Sequence, residues 1–96
     1  MLSFLSECGI KQEIISSLEN SLFDNMQFNI NCNELEIRKI IKYFNDIGIK
    51  CIDDLILNDI ELFLFTFSEI KEKFCKYDIP KLVELINDNY EVVYYL

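Results

Sequence analysis

The stretch Tyr43-Phe44-Asn45-Asp46-Ile47-Gly48-Ile49-Lys50 decides the fold. Ile37, Ile40, Ile41, Phe44 and Ile47 recur at the three- and four-residue spacing that lines apolar side chains along one stripe of an α-helix. Gly48 falls just past the last of them. There a glycine supplies the left-handed backbone that stops a helix, and the apolar Ile49 packs back over the final turn. The same pattern stands near the start, in Phe4-Leu5-Ser6-Glu7-Cys8-Gly9-Ile10-Lys11. The chain has two glycines, and both are followed by Ile-Lys. Asp78 takes the corresponding place a third time, as a residue type that tolerates the left-handed region. Ile79 and Pro80 follow it, with Pro suited to the first turn of the next helix.

Working outward, residues 40–66 can be laid on residues 70–96 without a gap. Ile40, Phe44, Ile49, Leu55, Ile56 and Glu61 then fall on identical residues 30 positions on. A fixed period of this size marks stacked supersecondary units, each unable to bury its apolar face alone. The expected fold is therefore all-α: one small domain over residues 1–96, with about six short helices in three helical repeats near 1–33, 34–66 and 67–96. Helices are expected over residues 2–8, 11–25, 34–47, 51–58, 67–76 and 80–87, with a last helical turn or two over 90–96. Gln27 to Asn33 reads as the one long loop, with Asn33 capping the helix that follows. Thr66-Phe67-Ser68-Glu69 has the spacing of a capping box. The alternation in Leu62-Phe63-Leu64-Phe65 would suit a strand, but its helical flanks favour a short helix or turn.

Composition narrows the class of activity. The 96 residues are 51% apolar and 14% aromatic, so a packed core is expected and disorder is not. No apolar run reaches a membrane span, and the first residues lack the basic flank of a signal peptide, which points to the cytoplasm. Cys8, Cys32, Cys51 and Cys75 form no C-x-x-C pair and the chain has no His, so reduced thiols are expected in preference to zinc ligands or disulfides. No triad, phosphate-cradling loop or metal motif is present, so neither an enzyme nor a cofactor site is expected.

Charge and aromatic content are the remaining clues. Seventeen acids against nine bases leave a net charge of −8, which repels phosphate backbones and favours basic partners, or serves solubility alone. Arg38, Lys39, Lys42 and Lys50 are the one basic cluster, set in a negative field. Glu34/Arg38, Glu69/Lys73 and Glu72/Lys76 stand at the spacing of helical ion pairs. A helix cannot bury Leu62, Phe63, Leu64, Phe65 and Phe67 all on one side, and Tyr90, Tyr94 and Tyr95 face the same problem. Either neighbouring repeats cover these rings or they form an interface. The candidate partner-binding residues are thus Asp53, Asp54, Asp59, Glu61, Phe63, Phe65, Tyr90, Tyr94 and Tyr95.

The segments Phe44-Asn45-Asp46-Ile47-Gly48-Ile49, Leu55-Ile56-Leu57-Asn58-Asp59-Ile60-Glu61-Leu62-Phe63 and Leu85-Ile86 through Asn89-Tyr90-Glu91-Val92-Val93 resemble the repeat of the mitochondrial transcription termination factor family. The resemblance implies stacked helical units. It would also imply a basic nucleic-acid groove, which this acidic chain lacks, and Asp59 and Asn89 stand where that family usually has Pro. Ile47-Gly48-Ile49 is similar to a helix-hairpin-helix module without its second glycine. The function expected is protein binding: an inhibitor of a basic partner such as a nucleic-acid-processing enzyme or a toxin, in the manner of anti-CRISPR proteins and antitoxins. A nucleic-acid-binding module and a structural homo-oligomer, the simplest being a homodimer, are the alternatives.

Overall fold

Helix α4, Glu34–Ile47, is the axis on which the other elements are hung, in a computed structural model that describes residues 2–96. Before it come α1 (Phe4–Glu7), α2 (Gln12–Ser21) and α3 (Asp24–Cys32). After it come α5 (Ile52–Asn58), a 3-10 helix (Ile60–Leu64), α6 (Phe67–Phe74), α7 (Ile79–Asp88) and a second 3-10 helix (Tyr90–Tyr95). The fold is all-α, and no strand occurs among the described residues.

The apolar stripe of α4 is inward-facing as its spacing requires, with Ile37, Ile40, Ile41 and Phe44 buried. Against it pack α3, α6, α7 and the first 3-10 helix. The Phe44 ring lies 5.3 Å from that of Phe74 in a stacked arrangement and 5.6 Å from that of Phe63, edge on. Tyr43 extends the cluster to Phe67 at 5.8 Å and Phe74 at 6.0 Å. Such aromatic pairs add to the plain burial of their area.

Both glycines stop helices as expected. Gly48 has φ 98° and Gly9 φ 90°. The amide of Ile49 donates to the Phe44 carbonyl at 2.9 Å, and that of Ile10 donates to the Leu5 carbonyl at 3.1 Å. These are the six-residue rings of the helix-ending motif, closed by buried Ile49 and Ile10. A Cβ at Gly48 would meet only Val83 Cγ1 at 3.8 Å, ordinary contact, so backbone strain alone sets the cost there. Gly48→Ala is expected to lose about 1–2 kcal/mol, read as a lower urea midpoint with an unchanged slope.

Three expectations are corrected. Asp78 is not left-handed: at φ −71° and ψ 108° it is extended and leads into α7. The helix stop is therefore written twice, since a residue that tolerates that region need not enter it. Residues 27–33 are not a loop but fall within or just after α3, while α2 ends at Ser21 rather than near residue 25. The break is at Leu22 and Phe23, both extended, with ψ of 141° and 156°. The buried Gln27 side chain makes it possible: its Nε2 donates to the carbonyls of Glu19 at 2.9 Å and Leu22 at 3.0 Å, ending α2 and seating α3 at once. Asn33 caps nothing with its side chain, which donates back to the Asn29 carbonyl.

The order helix, helix, 3-10 helix occurs in 34–64 and again in 67–95, whereas the first third has α3 where the others have a 3-10 helix. Asn87 of α7 holds these two segments together. Its Oδ1 accepts from the Lys50 amide at 2.8 Å, and its Nδ2 donates to the Gly48 carbonyl at 3.0 Å. The capping box is present, with Thr66 Oγ1 accepting from the Glu69 amide and Glu69 Oε1 from the Thr66 amide. The Cys8, Cys32, Cys51 and Cys75 thiols are unbridged. Among the described residues no helix is long and apolar enough to cross a membrane.

Candidate functional site

Asp59 ends α5 and opens the first 3-10 helix, where side chains three apart share an edge. Asp59, Leu62 and Phe65 are one such edge, and Val93 and Leu96 are another on the second 3-10 helix. Together with Glu61, Tyr94 and Lys73 they line a surface groove of about 270 Å³. Four of the nine nominated residues, Asp59, Glu61, Phe65 and Tyr94, thus meet in one place.

The others do not. Phe63 is fully buried against Phe44 and is a core residue. Tyr90 is half-buried against the core, and Tyr95 is exposed outside the groove. Asp53 and Asp54 sit in the first turn of α5 and line a different cleft of about 700 Å³, where the Gly9 and Gly48 corners converge with Lys11 and Lys50. Two lysines and two aspartates leave that cleft without a dominant charge, and acids in the first turn already oppose the helix dipole. Cys8 and Cys51 line it too, and burial pushes both thiols up, the opposite of what activates a nucleophile.

Electrostatics single out the groove. Burial pushes the Asp59 carboxyl up, repulsion from Glu61 adds to this, and the Leu62 amide works the other way. Burial raises the Tyr94 phenol first, and the Asp59 charge raises it further. Among the described residues neither Asp59 nor Glu61 has an ion-pair partner. Lys73 does not reach Glu69 as its spacing suggested. Its ammonium lies over the Phe65 ring, 4.8 Å from the centroid, where a cation is attracted by the ring face.

The raised Asp59 pKa has a definite sign in stability. The native state holds that proton more tightly than the unfolded chain, so the contribution is whole below the ordinary value of 3.8 and is lost as pH rises through the folded pKa. Asp59→Asn is expected to raise the melting temperature at neutral pH, by no more than about 0.5 kcal/mol in stability. The gain should vanish well below pH 3.8.

Three of the four residues of the basic cluster are neutralised within the chain, and Lys50 lies apart from them in the cleft beside Asp53 and Asp54. Arg38 pairs with Glu34 at 2.8 Å and Glu7 at 3.4 Å, Lys39 with Glu36 at 3.4 Å, and Lys42 with Asp46 at 2.8 Å. No group of three or more metal-ligating side chains occurs among the described residues. Sequence reasoning missed Lys73, whose partner is a ring on another element, and it missed exposed Phe23, Phe28 and Leu35. The last two carry a legible signal: with Cys32 they stand at i, i+4 and i+7. No family model, no curated protein and no solved structure matches this chain.

Proposed function

We propose that this chain works by binding another protein through the Asp59, Glu61, Phe65 and Tyr94 groove, and that the partner presents a basic surface. The observation that carries this reading is the half-buried Asp59 carboxylate, left beside Glu61 with no ion-pair partner among the described residues. A partner Lys or Arg would relieve the repulsion and offset the desolvation with an opposite charge. The net charge of −8 would steer the encounter, and Phe65 and Tyr94 would anchor it. Occlusion of a basic working surface makes the chain an inhibitor, with a nucleic-acid-processing enzyme or a toxin as the class of target. Arg38, Lys39 and Lys42, each engaged by a carboxylate of its own chain, leave little for direct nucleic-acid binding.

The test is capture from lysate of the source cell, with the bound protein identified and its affinity then measured using purified components. A basic protein should bind, weaken with salt, and lose about tenfold or more in affinity to the Asp59→Lys, Glu61→Lys double variant. Equal binding by that variant, with helical content intact, would remove the groove from the reading. A shifted oligonucleotide at physiological salt would replace the reading altogether.

A further inference from the structure

Lys73 and Phe65 stand between two neighbouring depressions and line both. On one side is the groove of Asp59, Glu61 and Tyr94, and on the other a hollow of about 230 Å³ with Glu69 and Glu72 on its wall. The Lys73 ammonium therefore has two acid-flanked places to rest. Glu69 lies four residues before it on α6, the spacing of a helical ion pair. That pair is not made. The ammonium stands over the Phe65 ring, 4.8 Å from the centroid, and among the described residues it forms no ion pair. Glu69 stays open to it, because Oε1 accepts from the Thr66 amide at 2.8 Å and a carboxylate has a second oxygen to offer. A cation on an exposed ring and an exposed ion pair are both weak, so neither seat locks the side chain.

The ring face that lines the acid groove thus already carries a cation, and that cation has somewhere else to go. An incoming side chain meets the Phe65 face, the exposed Tyr94 ring and two carboxylates that no cation of the chain pairs. Arginine answers all of these at once. Its planar guanidinium stacks on a ring while its fork of donors meets a carboxylate side by side, and it is less tightly hydrated than an ammonium. A lysine ammonium is a strongly hydrated point charge that serves one of these contacts at a time. We propose, on the strength of that reading of the groove, that its occupant is an arginine side chain of the partner. It takes the Phe65 face from Lys73 and pairs with Asp59 and Glu61, and Lys73 swings to Glu69 as it enters. Lys73 is then the resident competitor that every partner cation must displace.

The probes are two fluorescently labelled Gly/Ser peptides, one with two arginines and one with two lysines at the same positions, read by anisotropy against the full chain. The arginine peptide should bind about threefold or more tightly. Lys73→Arg conserves the charge but seats a better ring partner, so it should weaken the arginine peptide about threefold or more. A lysine that acted through its charge alone would leave that affinity unmoved. Phe65→Leu should erase the preference between the peptides, with circular dichroism checking that the helices remain. Asp59→Lys with Glu61→Lys should abolish binding of both. Unchanged binding in that double variant overturns the groove reading and the arginine seat together. Binding that needs the two acids but is equal for both peptides, or is as tight in Lys73→Arg as in the native chain, overturns the arginine seat and leaves the groove standing. No binding of the arginine peptide at millimolar concentration overturns the arginine seat as well.

Discussion

Phe44→Ala is expected to cost about 3–5 kcal/mol, the range for deleting a buried phenyl ring. The ring touches Tyr43, Phe63 and Phe74 and, unlike the half-buried Tyr43, is fully buried on the central helix. Removing it opens a void that α4, the first 3-10 helix and α6 would all have to close. Each is fixed elsewhere, the 3-10 helix by buried Leu62 and α6 by its capping box and Ile70, so little collapse is available. A domain of this size has about 5–15 kcal/mol in total, so most of its stability should go. Urea unfolding followed by far-ultraviolet circular dichroism reads it directly. A loss under about 1 kcal/mol would mean that the aromatic cluster is not the centre of the core.

Gln27→Glu should come next in size. The substitution is nearly isosteric but turns a donor of two hydrogen bonds into a charged acceptor facing two carbonyl oxygens, those of Glu19 and Leu22. Two acceptors lose their donor and a carboxylate is buried without a partner, a penalty of about 3 kcal/mol or more at neutral pH. The sign with pH is opposite to that of an ion-paired acid. Burial and the two carbonyls would raise the folded pKa of the new carboxyl, so stability falls as pH rises and returns as the group protonates. Gln27→Ala removes the bonds without adding charge and should cost about 1–3 kcal/mol with no such pH dependence. Melting temperatures across an acid-to-neutral series separate the two variants. A Glu variant no less stable than the Ala variant at neutral pH would place solvent at that corner.

What could be read from the sequence was what rests on short-range chemistry. Gly9 and Gly48 were legible because six residues contain the whole helix-ending motif, and Thr66 to Glu69 because a capping box spans four. The stripe on α4 was legible because burial there follows helical spacing. Residues 27–33 were not, because Asn29, Asn31 and Asn33 are weak helix formers and the bonds that seat α3 reach back five and eight residues from a side chain. At the groove, the sequence nominated acids and rings from the right segments. It could not sort Phe63 from Phe65, since that division depends on the three-residue period of a 3-10 helix packed on α4. Nor could it show that α5 sets Asp53 and Asp54 apart from Asp59 and Glu61, into a separate cleft.

The Asn87 side chain has a consequence in time as well as in space. It joins residues 37 and 39 positions apart, whereas each glycine corner closes over six, so the corners can form before the chain has met over any distance. The two Asn87 bonds are therefore expected to form in the last docking step, when α7 settles against the Gly48 corner. Asn87→Ala should then accelerate unfolding and leave the refolding rate nearly unchanged, the kinetic mark of a contact absent from the transition state. Stopped-flow rates in urea would show it as a displaced unfolding arm, so that this one surface amide governs how long the folded chain persists more than how quickly it is reached.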